Sequence, residues 1–328
     1  MTAALLRLSS ARHAADSARV PGHGAVRAQA LAGLLATPKT LPASLFYDAA
    51  GARLFERICE VPEYYPTRTE IAILERCAGE VAERAGPRAA LIEYGSGAGV
   101  KVRYLLDHLR DVAAYVPVDI SREQLVAVAA ERSRQYPDIP VKPVCADYTA
   151  PFDLPALPAD ARRVGFFPGS TIGNFHPTEA AAFLRRVRHA VGPGGALILG
   201  VDRRKDPAVL HAAYNDAAGV TAEFNLNVLR RLNREAAATF DLSAFRHVAF
   251  FNDAQSRIEM HLESRCEQEV YVGGVPVTFA RGETIHTECS YKYDRELLDA
   301  LVGAAGFRVE RLWTDAREWF WVAFVSPR

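Results

Sequence analysis

Glycine and acidic side chains follow three successive apolar runs of the chain, and their types and spacing fit the binding of an adenosine-containing molecule. The first run ends at Glu93, and Gly95, Gly97 and Gly99 come directly after it. A glycine-rich turn between a strand and a helix lets a ligand lie against bare backbone at the N-terminus of the helix. Such turns are common in α/β proteins, so this turn needs support from a second acidic residue.

Asp119 provides that support, because it ends the next apolar run about twenty residues beyond the glycines, where a ribose-binding carboxylate belongs. The third run ends at Asp147 and Tyr148, which suit the exocyclic amine and the ring face of adenine. Asp119 could instead cap a helix, and Asp147 could form a turn beside a buried tyrosine. Three consecutive strand ends of this kind favour the adenosine site.

The rest of the chain continues this pattern. Residues 191–195, V-G-P-G-G, precede a further apolar run, and a helical stretch near the C-terminus leads into two strand-like runs at residues 308–313 and 319–325. Nothing marks a basic pocket for a 2′-phosphate. In these features the chain resembles the class I S-adenosylmethionine-dependent methyltransferases. The resemblance implies an α/β fold, with a Rossmann-like seven-stranded sheet whose last strand is antiparallel, and S-adenosyl-L-methionine as the cofactor.

Composition and charge exclude several other classes. Lys plus Arg and Asp plus Glu number 39 each, without a long basic run, so no nucleic acid or anionic membrane is expected as a partner. Five scattered cysteines form no metal-ligand spacing and suit a reducing compartment, so no metal site is predicted. No apolar run approaches the roughly 18 residues that span a membrane. We therefore expect a cytoplasmic protein, and we expect it to be a monomer.

Two stretches fall outside the pattern of the sheet. Residues 26–65 have helical apolar spacing, and residues 205–288 combine helical and strand-like patterns. We predict that they form a second, discontinuous α+β substrate-binding domain. The expected division is an N-terminal arm (1–28), a substrate-binding domain or lid (29–68 and 203–291) and a methyltransferase domain (69–202 and 292–328). The first 27 residues contain one acid, Asp16, and faintly resemble a transit peptide, but a frayed arm is the preferred interpretation.

Longer motifs narrow the resemblance. They are F-Y-D-x-x-G-x-x-L-F-x-x-I (46–58), P-E-Y-Y-P-T-R-T-E (62–70), P-V-D-I-S (117–121), P-G-S-T-I-G-N-F (168–175), R-I-E-M-H-L (257–262) and I-H-T-E-C-S-Y-K-Y (285–293). From about residue 30 onwards the chain is similar to the histidine-specific methyltransferases of ergothioneine biosynthesis. The resemblance implies three successive methyl transfers to the α-amino nitrogen of L-histidine, which give hercynine.

The same resemblance implies roles for individual residues. Asn174 and Tyr214 would hold the carboxylate and amine end of histidine, and Glu288 and Ser290 would reach its imidazole nitrogens. Tyr64 would hold the other side of the ring, Met260 would line its pocket, and Tyr47 would sit near the amine, so Tyr47 and Asn174 are the candidate catalytic residues. The cofactor contacts would come from Gly95, Gly97, Lys101, Asp119, Asp147 and Tyr148.

Methyl transfer requires few acid–base groups, which is consistent with the small number of candidate catalytic residues. Methyl transfer is an in-line displacement, so an enzyme mainly has to align a neutral amine and exclude water. Glu288 and Ser290 are two residues apart on a strand-like stretch and face the same way. A desolvated carboxylate that accepts from an N–H donor contributes about 1.5–3 kcal/mol. Without the resemblance, Glu288 would be an edge-strand residue in water, Met260 ordinary packing and Asn174 a helix cap.

The sequence also allows two other functions. One is a methyltransferase of the same family that acts on another aromatic amino acid, for which the Glu288 and Ser290 pair would be wasted on a phenyl ring. The other is a non-catalytic module that binds S-adenosylmethionine. The intact glycines, Asp119 and Asn174 argue against the second.

Overall fold

The computed structural model describes residues 23–328. Within them the α-helices are α1 (His23–Leu34), α2 (Ala49–Glu60), α3 (Pro66–Ala85), α4 (Val102–Leu106), α5 (Arg122–Gln135), α6 (Pro177–Val191), α7 (Pro207–Tyr214), α8 (Val220–Glu235) and α9 (Arg295–Ala304). Short 3₁₀ helices lie at Ala43–Phe46, Thr171–Asn174 and Leu242–Ala244. Most of the predicted N-terminal arm lies outside the described residues, whereas residues 23–28 belong to α1.

The strands fall into two sheets and a hairpin. They are β1 (Lys39–Thr40), β2 (Ala89–Tyr94), β3 (Ala114–Asp119), β4 (Val144–Cys145), β5 (Arg162–Phe167), β6 (Ala196–Asp202), β7 (Phe245–Asn252), β8 (Arg257–Ser264), β9 (Gln268–Val272), β10 (Val275–Phe279), β11 (Thr284–Tyr291), β12 (Phe307–Thr314) and β13 (Phe320–Pro327).

The larger sheet has seven strands in the order β12-β13-β6-β5-β2-β3-β4. Neighbouring strands from β6 to β4 are parallel, and β13 is antiparallel to both β6 and β12. Every residue of β2 is buried, as expected for a parallel strand with helices on both faces of its sheet. The predicted fold class, with an antiparallel last strand, is confirmed.

The parallel arrangement brings the carboxyl ends of β2, β3, β5 and β6 to one edge of the sheet. The backbone amides of Gly95 and Ser96 donate to the carbonyl oxygen of Val118, at 2.8 and 3.2 Å, which ties the glycine turn after β2 to the end of β3. Ligands of open α/β sheets bind at this edge. The candidate cofactor residues therefore share one location.

The third strand of this sheet is shorter than the sequence predicts. The apolar run at residues 141–148 suggests a full strand, but β4 contains only two residues, and Val141 makes an isolated bridge to Tyr115. Pro143 lies between these two pairings and has no N–H to donate to the ladder. The proline therefore interrupts an edge strand that its apolar composition favours.

The smaller sheet has the order β1-β11-β8-β7, and β9 and β10 form a separate hairpin. The hydrophobic cluster that contains most of the buried apolar residues of the smaller sheet is formed by residues within 26–65 and 210–285. Two other clusters lie on the two faces of the larger sheet. This separation is consistent with the predicted second domain, whose boundaries stay a prediction. No helix in residues 23–328 combines the length and the apolar character that a membrane crossing requires.

Candidate active site

A cavity lies between the carboxyl ends of β5 and β6 and the smaller sheet, with α2, α7 and α8 forming its other walls. It brings together every side chain that the sequence assigned to the substrate. These are Tyr47, Tyr64, Asn174, Tyr214, Met260, Glu288 and Ser290. Positions that are up to 243 residues apart in sequence therefore face one space, as the proposed histidine site requires.

A β-bulge in β11 determines which side chains enter this cavity. The register with β8 shifts between His286 and Glu288, so that Glu288 lies opposite Met260 and Ser290 opposite Ile258. The extra residue, Thr287, is buried and donates its hydroxyl to the Met260 carbonyl oxygen at 3.0 Å. Because side chains alternate along a strand, one inserted residue turns the following ones to the other face. The bulge thus aims Glu288 and Ser290 into the cavity.

Hydrogen bonds link the residues expected at the two ends of the substrate. Asn174 Nδ2 donates to Glu288 Oε2 at 3.3 Å, and the Tyr214 hydroxyl donates to Ser290 Oγ at 2.8 Å. The two residues expected to bind the imidazole ring, Glu288 and Ser290, therefore contact the two residues expected at the carboxylate and amine end. A ligand that takes this Asn174 N–H must displace its bond to Glu288, whereas the Tyr214 oxygen can still accept from a ligand while its hydrogen stays on Ser290.

Burial controls the ionisation of Glu288. It raises the pKa of this carboxyl to about 7, and the ammonium of Lys292 opposes the rise. Glu288 is thus ionised above about pH 7, where it can only accept hydrogen bonds, and protonated below. Carboxyl groups with pKa values near neutrality are concentrated at functional sites.

A buried charge cluster that the sequence analysis did not identify forms the floor of the cavity. Asp202, at the end of β6, accepts from the Lys205 ammonium at 2.6 Å and from the Tyr65 hydroxyl at 2.8 Å, and its other partner is Lys292 at 2.8 Å. Burial opposes the ionised form of Asp202, but the two lysines hold its pKa below the usual value. Asp202 also donates its backbone amide to Ser170 Oγ at 2.8 Å, which connects β6 to the loop after β5.

Aromatic rings enclose the opposite wall. The rings of Tyr64 and Tyr214 meet edge to face at 6.3 Å, and Tyr47 makes edge contacts with Phe55 and Phe224 at 6.1 and 6.0 Å. Tyr47 itself is 37% exposed, so it lies at the mouth of the cavity rather than at its floor. Such walls exclude water and present ring faces that attract cations.

The glycine turn has the geometry that an adenosyl ligand requires. Gly97 has a φ of 48°, and a side chain placed on it would meet only the Gly95 oxygen at 4.0 Å, so its outer face is open. Asp119 accepts from the Gly97 and Ser121 amides, each at 2.9 Å, which places its carboxylate beside the turn. Ser96 Oγ is buried without a protein partner and is available to a ligand. These residues fit a bound S-adenosylmethionine.

The two proposed adenine residues differ in their surroundings. The Tyr148 ring lies over the glycine turn, with Cε1 3.4 Å from the position of a Cβ on Gly95. Asp147 is exposed, and its carboxylate accepts from the amide and the hydroxyl of Thr149 at 2.8 and 2.5 Å. Asp147 therefore makes the turn that the sequence left open, and its contact with adenine stays a prediction.

Lys101 has a protein partner that the sequence analysis did not assign. Its ammonium donates to Glu70 Oε2 at 2.5 Å, and Glu70 also accepts from the Gly169 amide at 2.8 and 3.0 Å. Glu70 is fully buried, and a Cβ on Gly200 would lie 2.1 Å from its Oε1, so only glycine leaves room there. Glu70 thus connects the glycine turn to the loop at residues 169–174.

We expect Glu70→Ala to destabilise the protein by about 3 kcal/mol, because removing one partner leaves the other charge in a largely buried position. The Gly169 amide would also lose its acceptor. Urea unfolding of the ligand-free protein measures the change. Glu75→Ala is the matched control, since Glu75 lies exposed on the same helix and should change stability little. Equal midpoints for the two variants would contradict a structural role for Glu70.

Sequence signals for the missed residues exist. Lys292 follows Glu288 and Ser290 at spacings of two, so alternation alone places it on their face. Asp202 ends an apolar run, as Asp119 does, and the rule applied to Asp119 would have found it. Glu70 closes the motif at residues 62–70. Its burial and its partners depend on distant segments and could not be predicted from the motif.

Comparisons with known proteins agree with this geometry. The family model "Histidine-specific methyltransferase, SAM-dependent" matches residues 26–327. Histidine N-alpha-methyltransferase from Mycobacterium tuberculosis is 43% identical over 315 residues, which are 94% of this chain and 96% of that protein. Ergothioneine biosynthesis protein 1 from Neurospora crassa is 31% identical over 301 residues, 86% of this chain but 32% of that longer protein.

A more distant relative is named for a different substrate. L-tryptophan methyltransferase trpM from Psilocybe serbica is 27% identical over 322 residues, with 89% of this chain and 90% of that protein covered. The family match spans both the sheet that carries the glycine turn and the segments that form the cavity. The chain belongs to the S-adenosylmethionine-dependent histidine-specific methyltransferases.

Proposed function

We propose that the protein transfers three methyl groups in succession from S-adenosyl-L-methionine to the α-amino nitrogen of L-histidine, and so forms hercynine for ergothioneine biosynthesis. The observation that carries this proposal is the pairing of Glu288 and Ser290 in the cavity at the cofactor edge of the sheet. A carboxylate and a hydroxyl side by side match the N–H donor and the acceptor nitrogen of one imidazole ring.

When bound, S-adenosylmethionine would supply a methyl group on a sulfonium, whose carbon a neutral amine can attack while the C–S bond breaks and S-adenosylhomocysteine leaves as a neutral thioether. Asp119 would hold the ribose, and Gly95, Gly97 and Ser96 would line the methionine end. Lys101 remains a candidate for the methionine carboxylate, and in that role Glu70 fixes its position. The loop at residues 169–174 would then lie beside the transferred methyl group.

The residues of the cavity would mainly position the amine. Asn174 would bind the α-carboxylate in exchange for its present bond to Glu288, and Tyr214, whose hydroxyl hydrogen stays on Ser290, would accept at its oxygen from an N–H of the amine end. Tyr47, at the cavity mouth, would hold the amine directly or through water. Each of the first two transfers leaves an ammonium that must lose one proton before its nitrogen can react again. The third leaves a quaternary nitrogen without a lone pair, so the reaction stops there.

The aromatic wall suits this sequence of products. Each methyl group adds apolar surface to a cationic nitrogen, and tyrosine and phenylalanine faces attract such cations within about 6 Å. Tyr64, Phe55 and Phe224 line the cavity together with Tyr47. The wall can therefore retain the mono- and dimethyl forms between transfers.

Tryptophan or another aromatic amino acid is the second candidate substrate, and the relationship to a tryptophan methyltransferase favours it. Its indole has one N–H donor and no acceptor nitrogen. The hydroxyl hydrogen of Ser290 would then face a ring that has no acceptor for it. We therefore prefer histidine.

The partners we propose are L-histidine and its mono- and dimethyl forms, without nucleic acid or membrane, and we propose a cytoplasmic monomer. Residues 29–68 and 203–291 would act as the substrate-binding domain, and residues 69–202 and 292–328 as the methyltransferase domain.

Mass spectrometry of histidine incubated with the protein and S-adenosylmethionine tests the proposed reaction. We expect successive gains of one, two and three methyl groups, all located on the α-nitrogen by fragmentation. Methyl groups on the ring nitrogens would contradict the proposed orientation. Unmodified histidine after many equivalents of cofactor would contradict the proposed substrate.

A further inference from the structure

The hydrogen bonds that Ser290 makes within the protein restrict what this residue can offer a ligand. Its Oγ accepts from the Tyr214 hydroxyl at 2.8 Å and from the Lys292 ammonium at 2.9 Å. A hydroxyl oxygen has two acceptor positions and one donor hydrogen. Both acceptor positions are therefore occupied by the protein, and only the hydrogen of Ser290 is free to meet a ligand.

Lys292 is fully committed to this arrangement. Its three N–H groups have three acceptors, which are Asp202 Oδ2 at 2.8 Å, Ser290 Oγ at 2.9 Å and Tyr214 Oη at 3.2 Å. The side chain is 1% exposed. Burial opposes its charge, but Asp202 raises the pKa of Lys292 above its ordinary value. The ammonium therefore stays charged and fixed in place.

The neighbouring Glu288 completes the pattern. Its carboxylate accepts from Asn174 Nδ2, and Lys292 opposes the rise in its pKa that burial causes. With the Lys292 ammonium present, the ionised Glu288 side chain only accepts hydrogen bonds from a ligand, and the Ser290 hydroxyl only donates one. That pattern is complementary to a neutral imidazole, which has one N–H and one acceptor nitrogen, and not to an imidazolium, which has two donors.

We propose that Lys292, held by Asp202, is a positioning residue that sets the hydrogen-bond direction of the ring-binding pair, so that Glu288 accepts, Ser290 donates and the cavity selects the neutral imidazole ring. This inference rests on the proposed function, because it takes the ring to be that of histidine. Lys292 need not touch the substrate, since it acts through Ser290 and Glu288.

Few groups around the cavity other than Glu288 can make ligand binding depend on pH near neutrality. The titratable side chains that share the cavity with Glu288 are Tyr47, Tyr64, Tyr214, Asp202 and Lys292. Burial raises the pKa values of the three tyrosines above their ordinary value, so they stay neutral. His286, whose Nε2 lies 3.1 Å from the Glu288 carbonyl oxygen, has a pKa lowered by burial to about 4. Among the described residues that line the cavity, Glu288 is thus the group that titrates near neutrality, together with the ligand ring. Lys205, which bonds Asp202 behind the cavity, has a pKa lowered by burial to about 8, and the Lys205→Met variant removes its contribution.

The test is the affinity for the trimethylated product as a function of pH, measured by calorimetry with saturating S-adenosylhomocysteine. The product has no titratable amine, so the curve reports only its ring, with a pKa of about 6.5, and the protein. In the wild-type protein we expect affinity to fall below about pH 7, where Glu288 becomes protonated. In Lys292→Met the pKa of Glu288 is no longer opposed, and the midpoint should move up by about one pH unit or more.

Two further variants separate positioning from simple structural support. Lys205→Met removes the other ammonium that bonds Asp202. Because Lys205 makes no bond to Ser290, this variant should keep the wild-type midpoint of the pH–affinity curve. Lys292→Arg keeps the charge and should restore the midpoint. A uniformly weaker Lys292→Met curve with an unshifted midpoint would overturn the inference, as would an equal shift in Lys205→Met.

A second measurement on the wild-type protein covers the case in which Lys292→Met does not fold. A histidine analogue with a pyrrole ring keeps the N–H but replaces the acceptor nitrogen by C–H. Because Ser290 would then have no acceptor for its hydrogen, we expect this analogue to bind about tenfold or more weakly than histidine. Equal affinities would overturn the inference. Failure of histidine and product to bind at any pH would instead refute the proposed function.

Discussion

Glu288→Ala is expected to weaken histidine binding by about tenfold to a hundredfold or more, because it removes a charge-assisted hydrogen bond in a desolvated position. The same change removes the buried carboxylate that requires a hydrogen-bond donor on the ring of the substrate. Discrimination against tryptophan and phenylalanine should therefore relax, since an apolar ring no longer has to desolvate a carboxylate. Calorimetric titration of the three amino acids in saturating S-adenosylhomocysteine gives both quantities.

Two controls make this result specific. Glu288→Gln keeps the shape and one accepting oxygen but loses the charge, so it should fall between the wild-type protein and the alanine variant. Glu263→Ala removes a carboxylate from the neighbouring strand that pairs with Arg246 outside the cavity, and histidine affinity should not change. Unchanged histidine affinity in Glu288→Ala would remove this residue from the site.

Asp119→Ala is expected to weaken binding of S-adenosylmethionine by about a hundredfold, because two ribose hydroxyls would lose a common acceptor. The loss has a second source, since the Asp119 carboxylate also accepts from the Gly97 and Ser121 amides and holds the glycine turn in place. Histidine affinity, measured at saturating cofactor product, should change far less. Separate titrations with cofactor and with histidine measure the two effects.

Asp138→Ala is the matched control for this prediction, because Asp138 is an exposed carboxylate that precedes β4, away from the glycine turn. Its cofactor affinity should equal that of the wild-type protein. If Asp119→Ala also bound the cofactor normally, the ribose role would be refuted. Parallel losses of cofactor and histidine affinity would instead indicate general misfolding of the sheet edge.

The large sheet could be predicted from the sequence because its strands carry strong local signals. Buried parallel strands are continuous apolar runs, and glycines or acids mark where they end. The length of β4 was predicted wrongly, because an internal proline shortens a run that is apolar enough for a full strand. The second sheet was predicted only in outline, because one of its strands, β1, pairs with β11 across more than 200 residues and β11 contains a bulge.

The site shows the same division between local and long-range information. Glu288 and Ser290 could be paired from their spacing, but the bulge that aims them inward is not visible in the sequence. Asp202 and Lys292 are far apart in the chain, and only the fold brings them to 2.8 Å. The contact between these two residues therefore could not be predicted from either local pattern alone.

Mass spectrometry of the protein incubated with S-adenosylmethionine and an equimolar mixture of the twenty amino acids tests the central claim most directly. We expect histidine alone to gain methyl groups and to accumulate with three of them on its α-nitrogen. Methylation of tryptophan or another amino acid in preference to histidine would contradict the assignment of Glu288, Ser290 and Lys292 to an imidazole ring. Absence of methylation in the whole mixture would contradict the proposed reaction.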